Sequence, residues 1–300
     1  MMNAATVKIQ ENQALSLASR IGAYTELTKP RIALMLVLTA AAGFYVGAEK
    51  GFSLVLFFNS MAAIALLAFG VAALNQFLEK NTDRLMERTA SRPLPSGRIS
   101  SFEALLVGGV LTISAEIYLF AAVNFLTGIL GLIVIVGYVF LYTPLKTVTT
   151  ASTAIGAIPG AMPPLMGWTA ASGEITLSAW FLFATLFLWQ FPHFLAIAWM
   201  YRDQYRNAGI RMLPAVEEDG KVTARQIVIF TIMLLPVSIA PFFFGISGVV
   251  FLVGATVLGI WFLLTSLQMA RAKSSKMARR LLLMSVIYLP IFFGLMVLDR

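Results

Sequence analysis

Asn75–Ser100 reads NQFLEKNTDRLMERTASRPLPSGRIS and is the densest run of charge in a very apolar chain. About twenty-five residues without a Lys, Arg, Asp or Glu precede it. Asn75, Glu79, Asp83 and Glu87 recur every four residues. On a helix that interval keeps side chains on one face, drifting by ~40° per step. The spacing predicts a polar face that begins inside the end of a membrane-spanning helix and emerges from it. Arg84, Arg88, Arg92 and Arg98 thread through the same stretch, and Pro93, Pro95 and Gly97 stop the helix. The ordinary reading of such a run is a solvated helix end with i,i+4 ion pairs. Asn75 weighs against it, because it lies toward the apolar side, where polar groups are costly. Oxygen donors on one face beside arginines suit a hard cation such as Mg2+, which shares its shell with phosphate oxygens. Arginine N–H pairs are well shaped to hold the phosphate.

The rest of the chain supplies the membrane. Of 300 residues, 59% are hydrophobic and 12% charged, against about 25% charged in soluble domains. Nine apolar stretches of spanning length lie at roughly 31–48, 54–77, 103–122, 124–142, 151–170, 177–200, 226–245, 248–269 and 280–298. Each is expected to be a helix, since lipid offers no partner for an open backbone. The expected organisation is all-α: an N-terminal cytoplasmic tail over 1–28 and a single integral-membrane domain over 29–300. The N-terminus, MMNAATVKIQENQALSLASR, lacks a continuous apolar core and a clear cleavage site, so it does not read as a secretory signal. An interfacial helix is expected over its second half. Cysteine is absent, which excludes disulfides, thiolate metal sites and a cysteine nucleophile.

With the N-terminus inside, twenty of the 22 Lys and Arg residues fall on the inner flanks, leaving Lys50 and Arg300 outside. This asymmetry predicts a cytoplasmic N-terminus and a cytoplasmic 75–100 segment. It also accounts for the net charge of +8 without a nucleic-acid partner. The loop RAKSSKMARR is expected to meet anionic lipid headgroups.

Other polar groups punctuate the spans. Lys29 and Arg31 bracket Pro30 at a helix start and read as snorkelling cations. Glu116 lies within the third span; it is either a functional carboxylate or a neutral, hydrogen-bonded acid packed against another helix. YTPLK ends the fourth span with Tyr142, Thr143 and Lys146, either an aromatic belt with a snorkelled lysine or a binding element. The fifth span holds Gly156, Pro159, Gly160, Pro163, Pro164 and Gly167, a composition that favours a cavity wall over simple packing. His193, the only histidine, lies beside Pro192, which is expected to disrupt the helix. It stands nine residues before Arg202, ~13 Å at helical rise, and is therefore deep. It either joins helices as a neutral imidazole or serves as a ligand.

These stretches resemble the membrane-embedded UbiA-type prenyltransferases. NQFLE with DRLMERT and RPLPSGRIS is similar to the family's first aspartate-rich motif. YTPLK, IGAIPGAMPPLMGW, WQFPHFLAIAW and AGIRMLP follow in the family's order, so the resemblance covers roughly Lys29 to Pro214. The wording is nearest to the branch whose acceptor is haem. The resemblance implies a helical bundle around a central cavity open to the cytoplasmic side of a bacterial plasma membrane. It implies farnesyl transfer from farnesyl diphosphate to a vinyl group of protohaem IX (haem B), with a hydroxyl from water, giving haem O and diphosphate. Asn75, Glu79 and Asp83 would hold Mg2+, and Asp203 would serve catalysis with them. Arg84, Arg88, Lys146 and Arg202 would contact the diphosphate. His193 would ligate or position haem, and Phe77 and Trp189 are candidates to face the allylic cation. An enzyme that oxidises haem O is an expected partner. The second acidic motif departs from the haem branch: Gln204 stands where an aspartate is usual, leaving Asp203 as the sole carboxylate of its core. That weakens the case for a second Mg2+ site, for which Glu217, Glu218 and Asp219 either compensate or are simply solvated.

Two rival readings remain. A UbiA-type enzyme with a quinone-like acceptor would lack a reason for WQFPH. A transporter would also use broken helices, but an odd span count and a polar face at one membrane surface argue against it. Reporter fusions at Ser91, Asn207 and Ser275 should read cytoplasmic and one at Ser172 external. An external signal at Ser91 would overturn the orientation.

Overall fold

The structure, a computed structural model, describes residues 16–49 and 51–300. Residues 1–15, including the first part of the expected N-terminal tail, and Lys50 lie outside the described residues. All regular structure among the described residues is helical. A short α1 (Leu17–Thr28) leads into α2 (Pro30–Gly47), α3 (Leu54–Arg84), α4 (Ser101–Ala122) and α5 (Phe125–Leu145). Then come α6 (Ser152–Gly160), α7 (Met162–Ser172), α8 (Leu177–Met200), α9 (Lys221–Phe243), α10 (Val249–Ala272) and α11 (Ser275–Leu298). Eight of these, α2 to α5 and α8 to α11, are long and apolar enough to cross a membrane. The chain is a multi-pass membrane protein.

The remaining expected span, 151–170, is not one helix. It breaks at Ala161 into α6 and α7. Pro163 sits in the first turn of α7, where its missing N–H would have had no partner anyway. The expected cavity wall gives way to packing in the second half, because Met162 to Ala170 is buried throughout. Two glycines explain how closely it packs. A Cβ on Gly167 would strike the Ala40 carbonyl, and one on Gly43 would strike the Pro164 carbonyl, so α2 and α7 touch backbone to backbone. Pro192, by contrast, does not interrupt α8, which runs unbroken from Leu177 to Met200.

Local chemistry starts the helices where the sequence turns. Ser100 and Glu103 form a reciprocal cap at the start of α4. The Thr176 and Ser274 side chains accept the first free N–H groups of α8 and α11. Lys29 adopts a left-handed backbone (φ 51°) between α1 and α2, and Pro30 then opens α2. The 31 residues of α3 span ~46 Å at helical rise, well beyond a ~30 Å hydrocarbon core. Its last turns therefore carry Asn75, Glu79 and Asp83 out through one face of the bundle.

The segments expected on one side of the membrane do meet. Arg98 pairs with Glu26 of α1 at 2.6 Å. The Arg88 N–H donates to Gln204 Oε1 at 3.2 Å. The Arg211 N–H donates to the Lys146 carbonyl at 2.7 Å, and Lys273 reaches the Asp219 carbonyl at 3.1 Å. The five cation-rich flanks thus form one connected surface. Arg300, at the other end, lies over the Tyr45 ring. Glu116 is buried against Gly131 of α5, and neither carboxyl oxygen has a hydrogen-bond partner among the described residues. Of the two readings of Glu116, the hydrogen-bonded acid is therefore not found, because the facing residue is a glycine with no side chain to bond it.

Candidate active site

The last three turns of α3 present Asn75, Glu79 and Asp83 on one face, as the four-residue spacing requires. Asn75 and Asp83 are 2% and 1% exposed, so neither belongs to a solvated helix end. Each of the three holds a cation from a different segment. Lys29 donates to Asn75 Oδ1 at 3.2 Å. Lys146 meets Glu79 Oε1 at 2.5 Å, and Arg92 meets Asp83 Oδ2 at 2.7 Å. Thr89 fastens the loop by donating its hydroxyl to the Asp83 carbonyl at 2.8 Å.

The neighbouring helix is shaped for this contact. Val136–Tyr142 of α5 is a π-helical stretch, a wider turn that recurs at functional sites. It ends on Thr143, whose hydroxyl donates to the Tyr138 carbonyl at 2.8 Å and accepts from Asn75 Nδ2 at 3.1 Å. Three residues on, Lys146 lies 4.2 Å from the centre of the Tyr142 ring, so its ammonium is held by Glu79 and a π face together. On the other side, Gln76 anchors α1 by donating to the Glu26 and Leu27 carbonyls at 3.1 and 2.9 Å. That contact holds the α1–α2 junction, and with it Lys29, against α3.

Charge balance sets the character of the recess. Burial, and after it the charge of Arg92, pushes the Lys29 ammonium down to about 8, while Glu79 pulls it back up. Burial is the largest single influence on the Lys146 ammonium and works against it, but Glu79 together with Tyr142 and Tyr138 outweighs it and keeps that lysine well above its usual value. Arg88 stands at the rim, 5.0 and 5.8 Å from the Tyr201 and Tyr205 ring centres, and donates to the Tyr205 hydroxyl at 3.1 Å. Lys29, Lys146 and Arg92 thus share two carboxylates, Glu79 and Asp83, and the amide of Asn75. Such an excess of positive charge favours a multiply charged anion.

The donor set also fits a hard dication. It offers amide and carboxylate oxygens without sulfur or imidazole. No group of three or more His, Cys, Asp and Glu converges among the described residues. The protein would therefore supply part of an oxygen shell, which water and phosphate oxygens complete, as Mg2+ prefers.

Not every expected residue joins this cluster. The Asp203 side chain is 76% exposed and reaches Arg206 at 3.5 Å. Arg202 stacks on Trp199 at 5.1 Å. Arg84 is exposed and donates to the Pro95 carbonyl at 3.4 Å. Gln204 takes the Arg88 N–H, so it ties the second motif to the first without a charge. Phe77 is turned away, packed with Tyr24 of α1, Leu94 and Ile99. The ring beside the recess is Tyr142, and Tyr138 lies 4.9 Å from it. Lys29, Arg92 and Thr143 carry weight that the sequence reading did not assign them.

His193 lies apart, on the face of α8 toward α11. Its Nδ1 is 2.8 Å from Ser285 Oγ, and its ring stacks on Trp189 at 4.5 Å. Trp189 is locked in turn, donating its N–H to the Ser285 carbonyl at 2.9 Å. The Ser285 hydroxyl also lies 2.7 Å from the Leu282 carbonyl. Nδ1 is thus engaged by Ser285, and Nε2 has no hydrogen-bond partner among the described residues.

The sequence profile described as the UbiA prenyltransferase family matches residues 36–292. The chain belongs to the UbiA prenyltransferase family. A protoheme IX farnesyltransferase of Solibacter usitatus (strain Ellin6076) is 47% identical over 286 residues, spanning 92% of this chain and 98% of that protein. The fold matches a UbiA homologue from Aeropyrum pernix K1 with a TM-score of 0.74 at 20% identity, covering 90% of this chain and 98% of that one. A UbiA homologue from Archaeoglobus fulgidus, solved with GPP and Mg2+, superimposes with a TM-score of 0.66 at 16% identity, covering 91% and 99%.

The Glu79–Lys146 pair allows a direct test of the recess. Lys146→Met strands a buried carboxylate and should lower stability by about 3–5 kcal/mol. Adding Glu79→Gln should restore most of it. Thermal unfolding of the two single variants and the double variant measures the coupling. Additive losses would mean the two side chains act independently.

Proposed function

We propose that the protein transfers the farnesyl group of farnesyl diphosphate to a vinyl group of haem B, with a hydroxyl from water, giving haem O and diphosphate. The observation that carries this reading is the face of Asn75, Glu79 and Asp83, each paired with a cation from another segment. The close relationship to a protoheme IX farnesyltransferase supports the acceptor, as does the Nε2 of His193, which no described residue bonds.

Asn75, Glu79 and Asp83 would hold Mg2+, which when bound neutralises charge on the departing diphosphate. Lys146, Arg92 and Lys29 exchange their side-chain oxygen partners for diphosphate oxygens, and Arg88 closes over the rim. The farnesyl C1–O bond breaks, and its electron pair leaves with the diphosphate. The terminal vinyl carbon of haem bonds to C1. The cation left on the inner vinyl carbon takes up water and releases a proton. Tyr138 and Tyr142 are better placed than Phe77 to face the allylic cation. His193 Nε2 ligates the haem iron, and Ser285 and Trp189 hold the ring in that pose. Asp203, Arg84 and Arg202 take no part in this arrangement unless their segments move.

The site would open to the cytosol across a bacterial plasma membrane. Residues 29–300 would form one membrane domain, with α1 fastened to it through Gln76. An enzyme that oxidises haem O is the natural consumer of the product.

Two substitutions separate the donor and acceptor halves of this account. Asp83→Ala should abolish Mg2+-dependent binding of farnesyl diphosphate and leave the spectrum of bound haem unchanged. His193→Ala should shift the haem spectrum and leave diphosphate binding near normal. Titrations on purified protein read both. An unaltered haem spectrum in His193→Ala would remove this residue from the site.

A further inference from the structure

The end of the bundle that carries the active-site recess has a second basic feature, on its lipid-facing flank. A cavity of about 480 Å³ lies between the end of α8 and the start of α11, lined by Met200, Tyr201, Lys276, Arg279, Arg280 and Leu283. Lys276, Arg279 and Arg280 make no ion pair among the described residues; Arg280 reaches only the Met277 sulfur, at 4.0 Å. Four other cations on this surface, Arg92, Arg98, Lys146 and Lys221, each hold a carboxylate at 2.5–2.8 Å. Three unmatched cations around one cavity call for an external anion.

What lies below the cavity identifies that anion's chemistry. From Leu283, α11 continues with Val286, Ile287 and Ile291, all exposed. The spacing sets them on one apolar stripe running into the membrane from the basic mouth. A free phosphate or nucleotide would use the cations and ignore the stripe. A phospholipid with an anionic headgroup uses both: its phosphate meets Arg279, Arg280 and Lys276, and an acyl chain follows the stripe.

We propose that this cavity is a specific site for one anionic phospholipid, and that its occupancy bears on the active site through Tyr201. That residue lines the cavity, and its ring carries the Arg88 guanidinium at 5.0 Å. A headgroup against Tyr201 steadies the ring on which Arg88 rests. Arg88 is thereby held at the rim, where its neighbouring N–H is bound by Gln204.

The test compares phosphatidylglycerol, phosphatidylcholine and inorganic phosphate on the purified full chain in detergent. Native mass spectrometry should show one phosphatidylglycerol retained at least ~tenfold more tightly than phosphatidylcholine, the size expected for charge-assisted contacts. Phosphatidylglycerol should raise the unfolding temperature, whereas inorganic phosphate at equal concentration should not. Arg279→Gln/Arg280→Gln should lose the preference while unfolding at the wild-type temperature in phosphatidylcholine. If that variant does not fold, Lys276→Gln and the salt dependence of wild-type binding read the same charge contribution. Proteolytic nicking at Arg88 should slow when phosphatidylglycerol is bound. Equal retention of the two lipids by wild type, an undiminished preference in the charge variants, or a full effect from inorganic phosphate alone would overturn the proposal. Unchanged nicking would overturn the link to Arg88.

Discussion

The cost of burying charge at the edge of a membrane governs this structure. Asp83 and Asn75 are almost wholly buried, and Glu79 is nearly so. A buried carboxylate without a partner costs several kcal/mol. The fold meets that constraint by bringing a cation to each polar group from a separate segment: Lys29 from the α1–α2 junction, Arg92 from the loop after α3, Lys146 from the end of α5. Much of the architecture at this end of the bundle serves those three approaches. Gln76 pins α1, the π-helical stretch aims Thr143 and Lys146, and Thr89 with the Pro93–Pro95 turn brings Arg92 back to Asp83.

Under the proposed function, the same arrangement would let an apolar bundle handle a highly charged substrate. Cations paired to carboxylates are already desolvated and in position. A dication taking the carboxylates would release the cations toward an arriving diphosphate without crossing open water. Positioning in advance of this kind is where electrostatic catalysis gets most of its force. The histidine that the proposed function assigns to haem follows a different logic. His193 is not part of the charged cluster. Its ring is held between Trp189 and Ser285, which engages Nδ1 and leaves Nε2 without a partner among the described residues.

Much of this was legible in the chain. Nine apolar stretches, the one-sided flank charge and the four-residue spacing of Asn75, Glu79 and Asp83 are local patterns, and local patterns survive folding. The fifth span was legible as broken but not as packed, because glycine and proline mark both a cavity wall and a close contact. Only the meeting of Gly167 with the Ala40 carbonyl separates them. Lys29 read as a snorkelling cation and Arg92 as one more charge of its run, since a cation looks solvated until its partner is known. Phe77 was misplaced for a related reason. It lies two residues from Asn75, about 200° around the helix, and so faces α1 rather than the recess. Asp203 and Arg202 were assigned through the family's motif; in this structure Asp203 is exposed and Arg202 lies over Trp199. Gln204 departs from that motif and instead braces Arg88 as a neutral acceptor.

The account's central claim is that the polar face of α3 activates a prenyl diphosphate for attack by haem. Purified protein in lipid vesicles, given haem B, farnesyl diphosphate and Mg2+, tests it, with mass spectrometry of the extracted haem as the readout. The account predicts a haem that has gained one farnesyl and one hydroxyl group, formed only while Mg2+ is present. Farnesyl diphosphate consumed while the haem mass stays unchanged, or product formed equally well in excess EDTA, would contradict it.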